Sequence, residues 1–449
     1  MAQEILQSRW NDMAKSRLIS YQELMARYYP DDERAARVVT FQVTEACNLS
    51  CSYCYQTCKS SKRMSFNTAK RLMDYLLSDQ SDYINTKNTL AVILDFIGGE
   101  PLLEIDLIDQ ICDYWLARCI ELEHPWAYHY QISMCSNGVL YFDERVQAFL
   151  CKHHGHVGFS ISIDGDERLH DSCRVFPDGS GSYGIASRAA EHYMENFGEL
   201  GSKITICPEN LPYLSQAIQY FVNMGYRDIN ANCVFENVWD ISHARLFYHQ
   251  MKRLADYLLD GDLYKEVDCS LLHERFFRAI DPDNNQNWCG GTGAMLACDP
   301  DGNLYPCLRY MPSSLGGQQE PYIIGTVDTG IGDTACHRDC IACLNAVTRR
   351  SQSTDECFGC PIAAGCAWCS AYNYQVFGTP DKRATFICDM HKARALANVY
   401  YWNRVYQKRG EAKVMENHCP REWALEIITR EELKMLDVLV EQNRKELQR

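Results

Sequence analysis

The chain has 449 residues, which at roughly 150 residues per domain is enough for about three domains and a sizeable core. Its 46% hydrophobic and 23% charged residues are typical of a folded chain and exclude the composition of a disordered one. A formal net charge of −15 repels phosphate backbones and anionic lipid, so we expect neither nucleic acid nor a membrane as a partner.

The cysteine content is unusual for the compartment that the sequence indicates. No run approaches the roughly 18 apolar residues of a membrane span, and Glu4 and Arg9 interrupt the start where a signal peptide is apolar. We therefore expect a cytoplasmic protein. Because a reducing compartment disfavours disulfides, the 24 cysteines indicate metal-bound or catalytic thiolates.

Strand and helix patterns alternate through the first half of the chain. A helical segment is predicted over residues 1–36. Short β-branched runs then predict six strands, at 38–44, 90–97, 128–134, 157–163, 203–207 and 229–235. Helical patterns fall between them, at 66–77, 104–122, 143–153, 184–197 and 212–224. This alternation over residues 37–235 predicts an α/β fold with a parallel sheet, either open or curled into a barrel.

The pattern changes after residue 235. Residues 236–288 are predicted to be a helical linker, with helical periodicity over 236–286. Residues 289–390 are rich in glycine and cysteine and predict a second, loop-dominated domain. An amphipathic helix over 391–406 then opens a C-terminal helical extension, 391–449.

A first triplet of cysteines, Cys47, Cys51 and Cys54, directly follows the first predicted strand. Three thiolates bind three irons of a 4Fe–4S cluster, whereas ordinary clusters take four cysteines. The open fourth iron suits chelation of the amino and carboxylate groups of S-adenosylmethionine (SAM). The same spacing recurs in a middle triplet, Cys336, Cys340 and Cys343. The surrounding sequence must therefore discriminate between the two.

The surroundings favour the first triplet. Tyr53 precedes its last cysteine, and a Gly-Gly-Glu-Pro turn at 98–101 follows the next strand. Glycines there let the backbone approach a ligand, and Glu100 accepts hydrogen bonds from an ammonium group. With these motifs, residues 37–235 resemble the radical SAM superfamily. The resemblance implies a partial (β/α)6 barrel that is open on one side.

The resemblance also implies which residues bind the cofactors. The first triplet would ligate the cluster. Eight residues would contact SAM: Tyr53, Gly98, Gly99, Glu100, Asn137, Ser162, Asp164 and Arg174. Tyr53 would border the adenine, Glu100 and the two glycines would hold the amino group, and Ser162 and Arg174 are candidates for the ribose and the carboxylate. A plain turn or N-cap role stays open for the strand-end residues, and no catalytic residue is assigned.

A second cysteine group lies within residues 289–390. Its members are Cys289, Cys307, Cys357, Cys360, Cys366, Cys369 and Cys388. The turn at 299–303 predicts a hairpin that directs Cys307 toward a cluster. A compact zinc site is the alternative, although the CxxC pairs lie closer together than the roughly 15–20 residues of a zinc ribbon.

This group resembles the SPASM domain, an extension of radical SAM peptide maturases with two auxiliary 4Fe–4S clusters. The resemblance implies an inner set, Cys289, Cys307 and Cys369, and an outer set, Cys357, Cys360, Cys366 and Cys388. Cys369 departs from the family spacing. The inner fourth ligand stays open between Cys298, a substrate thiolate and water. The middle triplet is interpreted as a flexible insert, a further metal site or spare ligands. The remaining cysteines, such as Cys112, Cys119, Cys151 and Cys233, lie in apolar helix or strand patterns and are predicted to be small core residues.

Together the resemblances imply three 4Fe–4S clusters and radical modification of a ribosomally made peptide, by a thioether or carbon–carbon crosslink. The precursor peptide and a reductant such as flavodoxin or ferredoxin would be partners. An anaerobic sulfatase maturase is disfavoured, because that family carries Asp where this chain has Leu308. A radical enzyme acting on a small-molecule precursor, and a non-catalytic iron–sulfur electron carrier or zinc scaffold, also stay open as functions.

Overall fold

The computed structural model describes residues 36–56, 59–78 and 91–448. The helix predicted over 1–36 lies outside these ranges, apart from Ala36, which begins the first strand. Every cysteine in the described ranges is a free thiol. Across the same residues, no helix combines the length and the apolar character that a membrane crossing requires.

Strands and helices alternate through the first half, as predicted. The strands are β1 (Ala36–Gln42), β2 (Ala91–Ile97), β3 (Tyr130–Ser136), β4 (Val157–Ile161), β5 (Ile204–Ile206), β6 (Asp228–Ile229) and β7 (Ala231–Cys233). The helices are α1 (Phe66–Leu76), α2 (Ile105–Glu121), α3 (Glu144–Lys152), α4 (Glu167–Asp171), α5 (Tyr183–Asn196) and α6 (Leu214–Asn223). The longer helices begin and end within two residues of their predicted bounds.

Strands β1 to β4 are parallel and pair in chain order. Their apolar residues are largely buried, and Phe41 of β1 lies opposite Phe96 of β2 with ring centroids 5.4 Å apart. A parallel bridge from Ser160 to Gly201 continues the series to β5, which pairs in parallel with β7. This arrangement confirms the predicted partial (β/α)6 barrel.

The second half contains shorter elements. Its strands are β8 (Asp268–Cys269), β9 (Met295–Cys298), β10 (Asn303–Tyr305), β11 (Gly325–Thr326) and β12 (Gly330–Ile331). Its helices are α7 (Ile241–Asp260), α8 (Pro312–Leu315), α9 (Ala335–Ala346), α10 (Arg349–Gln352), α11 (Asp355–Phe358), α12 (Ser370–Phe377), α13 (Cys388–Arg409), α14 (Arg421–Ile427) and α15 (Arg430–Leu447).

The cysteine-rich region is joined to the barrel through its sheet. Strand β9 pairs in parallel with β1, and β10 returns antiparallel to β9 around the predicted turn, where Gly302 has φ 89°. Strands β11 and β12 extend this ribbon, so the sheet order is β12-β11-β10-β9-β1-β2-β3-β4. The predicted hairpin is confirmed, and it lies beside the strand that leads into the first triplet.

Two expectations are wrong. Helix α7 ends at Asp260, because Gly261 caps it and Asp262 turns left-handed with φ 55°, so most of 261–286 is turns and loop rather than helix. Cys151, whose apolar helical context predicts a buried residue, is exposed on α3. Helix α13 packs along both α7 and α15, which closes the C-terminal extension onto the rest of the chain.

Candidate active site

A cavity of ≈ 1880 Å³ runs through the open barrel. The first triplet lines it, together with residues at the carboxyl ends of β2, β3 and β4. Leu308, Arg309 and Cys369 from the cysteine-rich region line it as well. We call it the central cavity. It brings the first triplet and one member of the inner set into a single space.

The loop that carries the first triplet is held from two sides. On one side, the Ser50 N–H donates to the Val175 carbonyl at 2.8 Å and the Ser52 N–H to the Cys173 carbonyl at 3.0 Å. On the other, the Glu100 N–H donates to the Ala46 carbonyl at 2.9 Å. These backbone contacts fix the loop, and Cys47 Sγ in addition accepts the Leu49 N–H at 3.4 Å, a donor that also suits a thiolate bound to a cluster.

The loop approaches the 98–101 turn so closely that only glycine fits. A Cβ on Gly99 would lie 2.2 Å from the Ala46 carbonyl oxygen, and one on Gly98 would lie 2.8 Å from that of Thr44. Real Cβ atoms do not approach backbone oxygen at such distances, so any side chain would displace the cysteine loop. The glycines therefore serve the packing of this loop as well as leaving space for a ligand.

Glu100 is buried and tied to its neighbours. Its carboxylate accepts from Ser136 Oγ at 2.8 Å, from the Asn137 N–H at 2.8 Å and from the Leu102 N–H at 3.1 Å. Burial raises the pKa of Glu100, and these three donors oppose that shift. The carboxylate joins the turn after β2 to the end of β3, so Glu100 positions the cavity wall in addition to lining it.

Tyr53, Asp164 and Arg174 form a compact cluster behind the first triplet. The Tyr53 hydroxyl donates to Asp164, and Arg174 Nε donates to the same carboxylate at 3.0 Å. The Arg174 guanidinium lies 5.3 Å from the centre of the Tyr53 ring. Burial raises the pKa of the Cys51 thiol, and the charge of Arg174 opposes this. Arg174 therefore acts on the first triplet electrostatically.

The remaining predicted SAM contacts lie nearby. Asn137 Nδ2 donates to Asn48 Oδ1 at 2.6 Å and lies 4.0 Å from Cys47 Sγ. Ser162 Oγ lies 3.3 Å from Cys135 Sγ. Of the eight predicted residues, seven line the central cavity, and Asp164 does not. It lies behind Tyr53 and Arg174 and orients them.

The inner set gathers beside α12. Cys289 Sγ lies 3.1 Å from Ser370 Oγ, and Cys369 caps α12 by accepting the Tyr372 N–H at 3.4 Å. Burial raises the pKa of Cys307, and the neighbouring Cys369 and Cys289 thiols raise it further. Cys298 is not grouped with them, because its thiol is buried and donates to the Asp299 carbonyl at 3.4 Å.

The outer set gathers at the start of α13. Burial raises the pKa of Cys388 to about 12, and the nearby Cys366 and Cys357 thiols add to this. Arg383 opposes the shift, with Nη1 3.5 Å from Cys357 Sγ. A cluster with four thiolate ligands carries net negative charge, and the guanidinium stabilises such charge.

The cysteine sets are spaced more widely than a single metal ion requires. Among the described residues, the one trio of potential ligands whose atoms lie within 4.8 Å of one another is Asp109, Asp113 and His153. One zinc ion with bonds of about 2.3 Å holds its sulfurs roughly 3.8 Å apart. A cubane binds each thiolate to a different iron and accepts a wider spacing. The spacing therefore favours clusters over zinc.

The chain matches one family model and several characterised or uncharacterised proteins in sequence. A family described as a 4Fe-4S single cluster domain matches residues 35–144. The uncharacterized protein MJ0907 of Methanocaldococcus jannaschii is 32% identical over 190 residues, which are 42% of this chain and 59% of the relative. This match thus covers less than two thirds of that relative. Mycofactocin maturase MftC of Mycolicibacterium smegmatis is 25% identical over 72% of this chain and 74% of its own length.

Solved structures match the fold. The structure of anSMEcpe with bound AdoMet and the Kp18Cys peptide aligns with a TM-score of 0.60 at 16% identity, over 84% of this chain and 99% of that one. SuiB of Streptococcus suis bound to precursor peptide SuiA aligns with a TM-score of 0.50 at 13% identity, over 78% and 75% of the two chains. The chain has a radical SAM/SPASM-type fold.

The residues around the first triplet fit a 4Fe–4S cluster and SAM. Three free thiols line one cavity on a loop whose backbone is already satisfied. Lys59 and Arg174 supply positive charge beside Cys47 and Cys51, where a thiolate-bound cluster needs it. The close packing of Gly99 leaves no side chain between the loop and the cavity. This donor set and its surroundings suit a cluster with an open iron.

Two residues of the central cavity are missed by the sequence reasoning. Asp95 on β2 points into the barrel, accepts from Thr40 at 3.0 Å, and has a pKa raised by burial. Arg309 lies between the rings of Tyr55 and Tyr372, 6.0 and 5.9 Å from their centres. Asp95 could have been found from the sequence, because it is the one acidic residue within the apolar strand β2. The sequence around Arg309 has no such feature.

Proposed function

We propose that this protein is a radical SAM enzyme that modifies a ribosomally made peptide. The observation that carries the proposal is the central cavity, which contains the first triplet and also reaches Cys369 of the inner set. Its ≈ 1880 Å³ exceeds the roughly 300–1,000 Å³ of a typical small-ligand pocket, so there is space for a peptide segment beside SAM.

In this proposal the first triplet ligates a 4Fe–4S cluster, and SAM lies against the seven predicted residues that line the central cavity, with Asp164 behind them. Together, the bound cluster and SAM supply a 5′-deoxyadenosyl radical by one-electron reductive cleavage. The chain's own residues provide the geometry. Glu100 holds the end of β3 against the turn after β2. Arg174 provides a positive charge for the SAM carboxylate while Asp164 fixes its orientation.

We further propose that the inner and outer sets each hold a 4Fe–4S cluster, which makes three in the chain. The inner set has three cysteines, so a fourth ligand position would remain, and Cys369 lines the central cavity. A substrate thiolate or water therefore fits that position better than Cys298 does. The corresponding units are the barrel over residues 37–235, the linker over 236–288, the auxiliary domain over 289–390 and the extension over 391–449.

The proposed substrate is a precursor peptide, and the proposed modification is a thioether or carbon–carbon crosslink. The names of the relatives support a peptide: MftC is a maturase, and SuiB has been solved with its precursor peptide SuiA. Leu308, beside Cys307 in the cavity, has no group that accepts a proton, which argues against a base at that position. We propose a cytoplasmic protein whose reductant is a flavodoxin or ferredoxin.

The first test is SAM cleavage by the reconstituted protein under anaerobic conditions with dithionite. We expect the wild type to form 5′-deoxyadenosine and the Cys47→Ala/Cys51→Ala/Cys54→Ala variant to form none. Cys151→Ala, an exposed cysteine outside every set, is the matched control and should behave as wild type. Absence of 5′-deoxyadenosine from an iron-replete wild type would overturn the proposed chemistry.

The second test concerns the substrate. A short peptide encoded beside the gene is co-expressed with the wild type or the first-triplet variant and analysed by mass spectrometry. A crosslink predicts a loss of two hydrogens per bond formed, only with the wild type. A wild type that cleaves SAM but leaves every such peptide unchanged would favour a small-molecule substrate instead.

A further inference from the structure

The middle triplet forms one face of a helix. Cys336, Cys340 and Cys343 lie on α9, a 12-residue helix that begins with Thr334 as its N-cap. Residues at positions i, i+4 and i+7 share one side of a helix, so the three thiols project in the same direction. Cys336 and Cys343 are exposed and Cys340 is half-buried. The segment therefore forms a helix rather than a loop.

The middle triplet lies beside a common tyrosine. Cys340 is a neighbour of Cys336, and both Cys340 and Cys343 are neighbours of the Tyr322 hydroxyl. The same hydroxyl donates to the Cys340 carbonyl at 3.0 Å. Tyr322 comes from outside the helix, so the thiol face is packed against the domain at its centre and open at its two ends.

Tyrosine rings separate this face from the inner set. The Tyr322 ring lies 4.9 Å from Tyr310, and Tyr310 in turn packs beside Gly291, next to Cys307 Sγ. Tyr374 lies 4.9 Å from Tyr322 and 5.9 Å from Tyr310. Because this layer stands between them, the middle triplet does not reach the inner set as spare ligands.

The helix geometry excludes a single ion bound by all three thiols. Cys336 and Cys343 are about 10.5 Å apart along the helix axis. A disulfide needs Cα atoms within about 7 Å and has an S–S bond of about 2 Å, so each sulfur extends at most about 2.5 Å from its Cα toward its partner. The outer sulfurs therefore stay about 5.5 Å apart, against roughly 3.8 Å around one zinc ion. A cubane, which binds each thiolate through a different iron, fits this spacing.

We infer that the middle triplet on α9 is an additional iron–sulfur site, holding a 4Fe–4S cluster by Cys336, Cys340 and Cys343 at the surface of the cysteine-rich domain. It is separate from the first triplet and from the inner and outer sets. The inference does not depend on SAM cleavage or on a peptide substrate, because its readout is metal content.

The test compares iron, sulfide and zinc per chain in the wild type and in Cys336→Ala/Cys340→Ala/Cys343→Ala after anaerobic reconstitution. We expect the variant to contain about four irons and four sulfides fewer, at four per cubane. Cys151→Ala is the control for loss of an exposed helical cysteine and should lose none. Equal iron in the triple variant and the wild type, or the loss of one zinc instead, would overturn the inference.

A second comparison separates an independent site from shared ligands. The variant Cys289→Ala/Cys307→Ala/Cys369→Ala is measured alone and combined with the α9 substitutions. Two separate clusters predict losses that add to about eight irons, whereas shared ligands predict about four in every case. The latter result would overturn the inference. If the triple α9 variant does not fold, Cys336→Ala alone is used. We expect it to lose more iron than the wild type on brief chelation, and an equal loss would overturn the inference.

Discussion

Replacing Asp164 with asparagine tests the buried ion pair behind the first triplet. The Asp164 side chain is 1% exposed and that of Arg174 is 11% exposed, with Nε 3.0 Å from the carboxylate. Asparagine keeps the shape but removes the charge, so the guanidinium stays buried without its partner. Breaking a buried pair in this way costs about 3–5 kcal/mol. Because Arg174 also lies over the Tyr53 ring, we expect about 3 kcal/mol.

We attribute the expected loss of stability in Asp164→Asn to the buried Arg174 cation, which is left without its partner. The double variant Asp164→Asn/Arg174→Met removes both charges, and we expect it to recover at least half of the loss. Unfolding by urea, followed by tryptophan fluorescence on the metal-free chain, gives each free energy. Asp301→Asn, which breaks the exposed pair with Lys62, is the control and should change little.

Two results would refute this account. One is a loss below about 1 kcal/mol in Asp164→Asn, which would place Arg174 in contact with water. The other is a double variant as unstable as the sum of the single ones, because independent effects add and coupled charges do not. A further check uses SAM. If Arg174 binds its carboxylate, SAM should raise the urea midpoint of Asp164→Asn and not that of Arg174→Met.

Three further outcomes are expected. Gly99→Ala places a methyl group 2.2 Å from the Ala46 oxygen, so we expect it to lose about 1–3 kcal/mol and to retain less iron, whereas Gly184→Ala, which meets nothing within 4 Å, should do neither. Burial lowers the pKa of His391 to about 4. In the unfolded chain the imidazole pKa is near 6.5, so between about pH 4 and 6.5 the unfolded chain binds more protons than the folded one. The free energy of unfolding should therefore fall as the pH drops from about 6.5 to about 4, and it should fall less in His391→Gln. Urea midpoints measured across this pH range test both expectations. Arg309→Met should leave 5′-deoxyadenosine formation without peptide unchanged, because Arg309 contacts Tyr55 and Tyr372 rather than the first triplet.

The barrel was predictable because its signals are local. Apolar β-branched runs separated by amphipathic helices specify parallel strands without reference to distant residues. The 261–288 segment was not predictable in this way. Arg394 Nε and Asn398 Nδ2 of α13 donate to the Leu271 carbonyl at 3.0 and 2.9 Å, and the His273 N–H donates to Asn398 Oδ1 at 2.7 Å. Side chains more than a hundred positions away thus replace helical hydrogen bonds.

The same distinction between local signals and long-range contacts applies to the site. The first triplet and the 98–101 turn are each a short continuous stretch of sequence, so their chemistry can be inferred from the sequence. Asp164 is predicted to contact SAM but lies behind Tyr53 and Arg174, and this separation from the cavity depends on where those two side chains lie. Cys298 has the right residue type for the inner set and is directed away from it by its position in β9. Residue type is local, whereas the direction of a side chain depends on strand pairing.

Sheet order explains how two cysteine sites far apart in sequence share a cavity. Strand β1 leads directly into the first triplet. Strand β9 pairs with β1 on the side opposite β2, so the β9–β10 hairpin that precedes Cys307 lies beside β1. The loops that follow then meet. Arg309, two residues beyond Cys307, lies over Tyr55, the residue after Cys54. In a chain of net charge −15, this guanidinium stands between two sites that each concentrate thiolate charge. In the proposed function, a peptide segment that reached from the first triplet to the inner set would pass Arg309, so the spacing between the two sites would help to select the substrate.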